Sequence, residues 1–348
     1  MSTLHGGPAA PIAPRSLWRA LALGAAALVA WVALAAACGG GAEPPAPTQA
    51  TPAAKAAATR TPSPAPSGPY PVTVTDMLAR QVTITSRPQR IVAISPTAVE
   101  LIYAVGGTVV GRSATAVFPA EAQAAPDVGS AYQPNTEAIL ALRPDLVVAD
   151  SVIHAQPQLQ SAITKLTVPV VFAGAGSYEQ VLTAVNLLGK VLDRQERAGA
   201  TVRDIEAALA QAKTALGTRK VSAVVLIADR DQTLYAAKAT SYAGDILARV
   251  GLTNPAASEP DSGPFPGYTA VAPEKLLRYN PDFVLTVTPA PAPAPRLSTL
   301  VPQIPPFRGL AAVQANRVIE LDLAVFLQAP GPRVAEALRA LAKLVDAS

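Results

Sequence analysis

Glu137-Ala138-Ile139-Leu140-Ala141-Leu142-Arg143-Pro144-Asp145 returns later in the chain as Glu274-Lys275-Leu276-Leu277-Arg278-Tyr279-Asn280-Pro281-Asp282. Each copy follows a second matched pair, Glu100-Leu101-Ile102-Tyr103-Ala104-Val105-Gly106 and Asp245-Ile246-Leu247-Ala248-Arg249-Val250-Gly251, with an acid six positions before a glycine in both. Around these phrases, short apolar runs at Ile91 to Ile94, Leu146 to Val148 and Val168 to Phe172 alternate with helical stretches at Thr97 to Val105 and Thr136 to Leu142. From about Lys220 the same order recurs: Val221 to Ala228, helices over Ser241 to Val250 and Pro273 to Tyr279, then Phe283 to Val287. Strands alternating with helices predict α/β layers with mainly parallel sheet. The repeat predicts two similar lobes.

Between the copies, Tyr178 to Leu192 and Arg194 to Leu216 read as helices. The second places Val202, Ile205, Leu209, Ala212 and Leu216 along one face at a 3-4-3-4 spacing. At 1.5 Å per residue such a helix reaches roughly 30 Å, long enough for a rigid strut between lobes; an ordinary helix packed on one lobe is the alternative. At the entrance, the alternation in Val72-Thr73-Val74-Thr75 and Val82-Thr83-Ile84-Thr85 predicts a short hairpin.

The first forty residues read as an address. Arg15 and Arg19 precede an apolar run from Leu21 to Ala37, which ends in Leu34-Ala35-Ala36-Ala37-Cys38-Gly39. This pattern is that of a signal peptide, and its end resembles a bacterial lipobox, with Ala35 where leucine is usual. A thiol-linked lipid on Cys38 is therefore expected, tethering the chain to the membrane outside the cytoplasm. An uncleaved anchor is the competing reading, because about 17 apolar residues just span a thin bilayer. From Ala42 to Pro69 the chain is nearly all Ala, Pro, Thr and Ser, a composition that buries too little apolar surface to fold and serves as a spacer. The expected organisation is thus 1–37 signal peptide, 38–69 lipidated cysteine and linker, 70–176 first lobe, 177–217 interlobe helices and 218–348 second lobe.

Composition excludes several functions. The net charge is +4 with no block of lysine or arginine, which argues against a nucleic-acid partner. One cysteine, Cys38, and two histidines, His5 and His154, leave no intramolecular disulfide and no zinc site of the His/Cys type. No cofactor is expected, and a metal would arrive only inside a bound ligand. No P-loop is present, and any catalytic dyad would pair Asp150 with His154, without the Gly-x-Ser-x-Gly elbow that a hydrolase of that kind carries. The chain is not expected to be an enzyme.

Taken in order, Arg90-Ile91-Val92-Ala93-Ile94-Ser95-Pro96, Val128-Gly129 followed by Pro134-Asn135-Thr136-Glu137, Leu142-Arg143-Pro144-Asp145-Leu146-Val147, and Gly331-Pro332-Arg333 opening the last helix resemble the solute-binding proteins that serve ABC importers of ferric siderophores, haem and cobalamin. The resemblance runs from about Tyr70 to Val345. It implies a class III periplasmic-binding-protein fold, with two lobes joined by one long rigid helix. It also implies a monomer that delivers a metal-chelate small molecule to an ABC permease dimer with its ATPase subunits. In that family a carboxylate on each lobe docks on the permease, and Glu100 and Asp245 are the matching positions. Helical phase agrees, since Leu101, Ile102 and Val105 share one face, as do Ile246, Leu247 and Val250, leaving both acids to solvent. A merely solvated helix acid is the alternative for each.

In α/β sheets ligands lie beyond the carboxyl ends of the strands, which places Ser95, Pro96 and Thr97, Asp150 with Ser151, and Asp229 with Arg230 at the mouth between lobes. The family resemblance adds Tyr132 and Gln133 from the first lobe and Tyr242, Phe265, Tyr268 and Phe326 from the second. Aromatic residues are 5% of the chain, so rings set in loops with Pro and Gly stand out; they would grip a flat conjugated chelate. Phe265 and Phe326 read equally as plugs of loop cores. Arg112 and Arg230 are candidates to offset an anionic ferric complex, or are surface charges. Siderophore, corrinoid and haem stay open, haem needing an axial group for which Tyr132 is available. A ligand-sensing lipoprotein with the same clamshell is the other reading of such a fold.

Overall fold

The computed structural model describes residues 68–291 and 293–346; the signal segment, Cys38 and nearly all of the linker lie outside them. No helix among the described residues is long and apolar enough to cross a membrane. The chain enters through an antiparallel hairpin, β1 (Val72–Thr75) and β2 (Gln81–Ile84), with Val72 opposite Ile84. Val74, Val82 and Ile84 are buried while the threonines between them face water, the two-residue period of a strand with one wet side. Just ahead of it, the Tyr70 hydroxyl donates to the Val191 carbonyl at 2.8 Å.

The first lobe continues through β3 (Ile91–Ala93), α1 (Pro96–Ala104), β4 (Gly111–Arg112), β5 (Gly129–Ser130), β6 (Gln133–Pro134), α2 (Thr136–Ala141), β7 (Leu146–Ala149), α3 (Pro157–Thr164) and β8 (Val170–Phe172). Its sheet, in the order β4-β3-β7-β8, is wholly parallel, and every residue of β3, β7 and β8 is buried. Helices on both faces explain such unbroken apolar runs. Two interlobe helices follow, α4 (Tyr178–Val191) and α5 (Gln195–Leu216).

The second lobe comprises β9 (Ala223–Ala228), β10 (Leu234–Ala237), α6 (Tyr242–Val250), β11 (Tyr268–Ala270), α7 (Pro273–Tyr279), β12 (Phe283–Thr286), α8 (Leu297–Leu300), α9 (Ala311–Gln314), β13 (Val318–Glu320) and α10 (Val334–Asp346). Its sheet runs β11-β10-β9-β12-β13. The pairings of β12 with β9 and β13 are parallel, whereas β10 is antiparallel to both β9 and β11. A connection as short as that between β9 and β10 only turns back on itself; a parallel return needs a crossover of a dozen residues or more.

The repeated phrases have a structural cause. Ser95 and Ser241 cap α1 and α6, each hydroxyl accepting a backbone N–H three residues on at 3.0 Å. Arg143 and Asn280 take positive φ, 46° and 37°, to end the helix before each Pro-Asp. Asp145 then accepts the N–H groups of Gln89 and Arg90 at 2.8 and 2.9 Å, and Asp282 accepts the N–H and hydroxyl of Ser222 at 2.8 and 2.7 Å. Each aspartate therefore ties the start of one strand to the start of its neighbour, β7 to β3 and β12 to β9.

At 22 residues, α5 extends about 33 Å. Its seam of Ile205, Ala208, Ala212 and Leu216 is buried in one apolar cluster that runs from β1 through α1 and α4 to α6 and α10. It packs on α1 and α4 at one end of that path and on α6 and α10 at the other, so the helix is shared by both lobes. Where α4 crosses it, a Cβ on Gly189 would lie 2.5 Å from the Ala198 Cβ. Gly189→Leu is therefore expected to lower stability by about 1–3 kcal/mol in urea unfolding, overriding the gain of up to about 1 kcal/mol from removing a mid-helix glycine. A variant as stable as the parent would mean that α4 and α5 separate freely.

Candidate functional site

At the carboxyl end of β3, Ser95 and Thr97 are buried and Pro96 half-buried. Pro96 opens α1, where a missing N–H costs nothing. The end of β7 brings Asp150 beside them: its carboxylate accepts the N–H groups of Val152 and Ile153 at 2.7 and 3.1 Å and lies 3.4 Å from the Ser95 hydroxyl. Burial pushes the Asp150 pKa up, and these hydrogen bonds oppose the shift. The dyad reading fails on this geometry. His154 Nδ1 lies against the main chain of Asp150, 2.8 Å from its N–H and 3.1 Å from its carbonyl, so the ring addresses the backbone and not the carboxylate. His154 Nε2 donates instead to the Ala131 carbonyl, also at 2.8 Å.

Ala131 and Tyr132 form the tip of the two-stranded hairpin β5–β6, in which Gly129 pairs with Pro134 and Ser130 with Gln133. Tyr132 is 62% exposed, the most exposed tyrosine among the described residues, and Gln133 beside it is exposed too. Arg112 ends β4 with its guanidinium folded onto the Ser113 and Ala114 carbonyls at 3.0 and 3.3 Å.

On the second lobe Asp229 follows β9 and stitches the turn, accepting the N–H groups of Asp231 and Thr233 at 2.9 Å and the Tyr235 hydroxyl at 2.9 Å. Arg230 is exposed on that turn. Half-buried Phe265 meets Tyr235 edge-on, the ring centroids 5.0 Å apart. Tyr242, Tyr268 and Phe326 are buried in the shared core, and burial alone pushes the Tyr268 hydroxyl up to about 12. Of the six side chains implied by resemblance, the structure presents Tyr132 and Gln133 to solvent, Phe265 in part, and packs the other three away.

Two aromatics escaped the sequence reading. Phe118 is exposed beside exposed Val117, in the irregular stretch after β4, and its ring lies 4.5 Å beneath the Arg333 guanidinium. The signal was the Val117-Phe118-Pro119 run within an alanine-rich loop. Tyr235 lies on β10, a strand the pattern did not mark. A groove of about 390 Å³ opens where Phe118, Tyr103 and Arg333 meet Asp204 and Glu336, between α1 and the start of α10 rather than at the strand ends. Among the described residues no group of three or more His, Cys, Asp or Glu side chains is placed to hold a metal ion.

Residues 91–324 match the periplasmic binding protein family. The chain belongs to that family. It is 26% identical over 288 residues to the uncharacterized ABC transporter substrate-binding lipoprotein YvrC of Bacillus subtilis, covering 79% of this chain and 86% of that one. It is 26% identical over 280 residues to a cobalamin-binding protein of Halobacterium salinarum, covering 78% and 73%. Among solved structures, the petrobactin-binding protein YclQ of Bacillus subtilis superposes with a TM-score of 0.68 at 18% identity, covering 79% of this chain and 98% of that one, a likeness of fold. The family is one of binding proteins, and this member is not an enzyme.

In this binding protein Glu100 and Asp245 are not the free surface acids that helical phase suggested. Glu100 is 3% exposed and accepts from Arg333 Nε and Nη2 at 2.9 and 2.5 Å, a forked pair joining α1 of the first lobe to the segment that opens α10 of the second. The phase argument assumed one covered face, but Thr97 through Ile102 are all buried because α1 is covered on both sides. Asp245 accepts the Tyr178 N–H at 2.7 Å, at the start of α4 where backbone donors lack helical partners. Arg249 sits 3.6 Å from Asp245 and 2.8 Å from Glu179. The equivalent acids of the repeat thus both form ties between a lobe and the elements beyond it.

Burial holds the Glu100 pKa above its ordinary value of 4.5, with Arg333 opposing. Arg333→Met, which strands the carboxylate, is expected to cost about 3–5 kcal/mol, while the double variant Glu100→Leu/Arg333→Met returns to the parent's stability or exceeds it. Because a raised carboxyl pKa favours the fold at low pH, the loss in Arg333→Met should shrink as pH falls toward 4.5. Urea unfolding of the three variants checks this; a double variant no better than Arg333→Met would refute it.

Proposed function

We propose that this periplasmic binding protein is the lipid-anchored, substrate-binding component of an ABC importer. It captures a metal chelate, a corrinoid or a ferric siderophore, in the crevice between its lobes. The observation that carries the reading is the solvent-facing Tyr132–Gln133 tip at the carboxyl ends of β3 and β7, in a fold whose second lobe sets Arg230 on the turn after β9. A ring presented to water at a strand-end mouth suits the face of a conjugated ligand. The names of the similar proteins, an ABC transporter lipoprotein and a cobalamin-binding protein, support the same reading.

The protein works as a monomer. The metal enters within its chelate, Tyr132 stacks on the ligand, and Arg112 or Arg230 offsets anionic charge. The lipid on Cys38 and the linker to Pro69 hold the lobes near a permease dimer with its ATPase subunits, raising the local concentration there. Docking is assigned to the outer faces of the lobes rather than to Glu100 and Asp245, whose carboxylates are engaged. Since α5 is shared by both lobes, closure amounts to a few degrees. Haem is the second reading, favoured by exposed Tyr132 as axial ligand; both nitrogens of His154 are taken.

Titration with cyanocobalamin, ferric siderophores and haemin, read by ligand absorbance because Trp18 and Trp31 both lie in the leader, tests this. One chelate class is expected to bind, with Tyr132→Ala weakening it about fivefold to tenfold, the worth of one aromatic contact. A haem spectrum altered by Tyr132→Phe would select the second reading. Failure of every chelate to bind would overturn both.

A further inference from the structure

The hairpin that presents Tyr132 is thin. Its ladder has two residues on each side, and one of them, Pro134, has no N–H to give. Two-stranded hairpins of this size are marginal without support. Its base is supported: Ala114 N–H donates to Gly129 O at 2.8 Å, Gly129 N–H to the Asp127 carboxylate at 2.6 Å, and Asn135 N–H to Val128 O at 2.8 Å. Within the tip Gln133 N–H donates to Ser130 Oγ at 3.1 Å, and from outside the hairpin the Nε2–H of His154 holds the Ala131 carbonyl at 2.8 Å.

His154 is itself fixed. It is fully buried on the turn after β7, with Nδ1 against the N–H and carbonyl of Asp150 at 2.8 and 3.1 Å and Nε2 against the Ala131 carbonyl on the opposite side. Nε2 meets only a carbonyl and so carries a proton, while Nδ1, closer to the Asp150 N–H at 2.8 Å than to the Asp150 carbonyl at 3.1 Å, accepts, and the buried ring is neutral. The charged group that faces it is Asp150, whose carboxylate is aimed at the Val152 and Ile153 N–H groups instead. The imidazole thereby transmits the position of the β7 end to the tip of the hairpin.

We propose that His154 is a positioning residue of the ligand site: its neutral imidazole spans from Asp150 N–H to Ala131 O and holds the Tyr132 tip at the cleft mouth. The inference deepens the cleft reading above and rests on it for the role of Tyr132. Burial keeps the imidazole below its ordinary pKa of 6.5. Neutral at pH 7, it adds stability that is lost as pH falls below that value, when a proton on Nδ1 would break the bond from the Asp150 N–H and turn the ring toward the Asp150 carbonyl.

The test uses the full chain in detergent. Hydrogen exchange of residues 129–134 is compared in the parent, His154→Ala and His154→Gln, with β3 and β7 as internal controls. Gln keeps a donor near the Nε2 position, so the expected order of tip protection is parent, then Gln, then Ala, with β3 and β7 unchanged in the Gln variant. The parent tip should also loosen between pH 7 and pH 5, and the Gln variant should show no such pH dependence. With cyanocobalamin as probe, His154→Ala is expected to bind about tenfold more weakly, one hydrogen bond's worth of free energy. Unchanged tip protection in His154→Ala, or a pH profile identical in the Gln variant, overturns the staple. Loss of binding in Tyr132→Ala without loss in His154→Ala overturns the positioning role while the cleft reading stands. A parent that binds cyanocobalamin no better than Tyr132→Ala counts against that reading for this chelate, and leaves the staple to be decided by exchange alone.

Discussion

The apolar seam of α5 must be covered along its whole length, and no single lobe of this size covers it. Ile205, Ala208, Ala212 and Leu216 are satisfied only because α1 and α4 on one side and α6 and α10 on the other supply surface to the same helix. This requirement fixes how the lobes stand relative to each other. It turns what would be a flexible two-domain hinge into a continuous core, and it leaves the loops at the strand ends as the parts free to differ.

The polar ties elaborate that arrangement. Arg333 reaches back from the start of α10 to Glu100, with the Phe118 ring closing over the guanidinium, and Asp245 reaches the first N–H of α4, that of Tyr178. Both acids sit at equivalent places in the repeat, yet one is satisfied by a side chain and the other by backbone. A duplicated framework has therefore been joined by unlike chemistry at its two matching points. A buried ion pair of this kind contributes less to stability than to geometry, since the desolvation of Glu100 offsets much of its attraction to Arg333.

Most of the framework was legible in the sequence. The hairpin at Val72–Ile84, the apolar runs of β3, β7, β9 and β12, and the helices α1, α2 and α4 to α7 follow from period, capping serines and the Pro-Asp phrases, all of which act locally. The short strands β4, β10, β11 and β13 were not legible, because two to four residues adopt strand geometry only when a neighbouring strand offers a ladder. Exposure at the site was only half readable. Tyr132 and Tyr242 are alike in sequence context, but one tops a hairpin and the other opens a helix wedged into the core. Helical phase misplaced Glu100 for a related reason: it infers one covered side and cannot count how many elements surround a helix.

The two loops proposed to face the ligand are built from unlike parts. One is a hairpin tip held from below by a neutral imidazole, and the other is a tight turn sewn by the Asp229 carboxylate and flanked by the crossed rings of Tyr235 and Phe265. Although the lobes repeat one sequence pattern, a ligand held between these loops and rotated by half a turn would meet the wrong loop on each side. The repeat thus supplies symmetry of scaffold without symmetry of surface, so the proposed crevice has a distinguishable left and right.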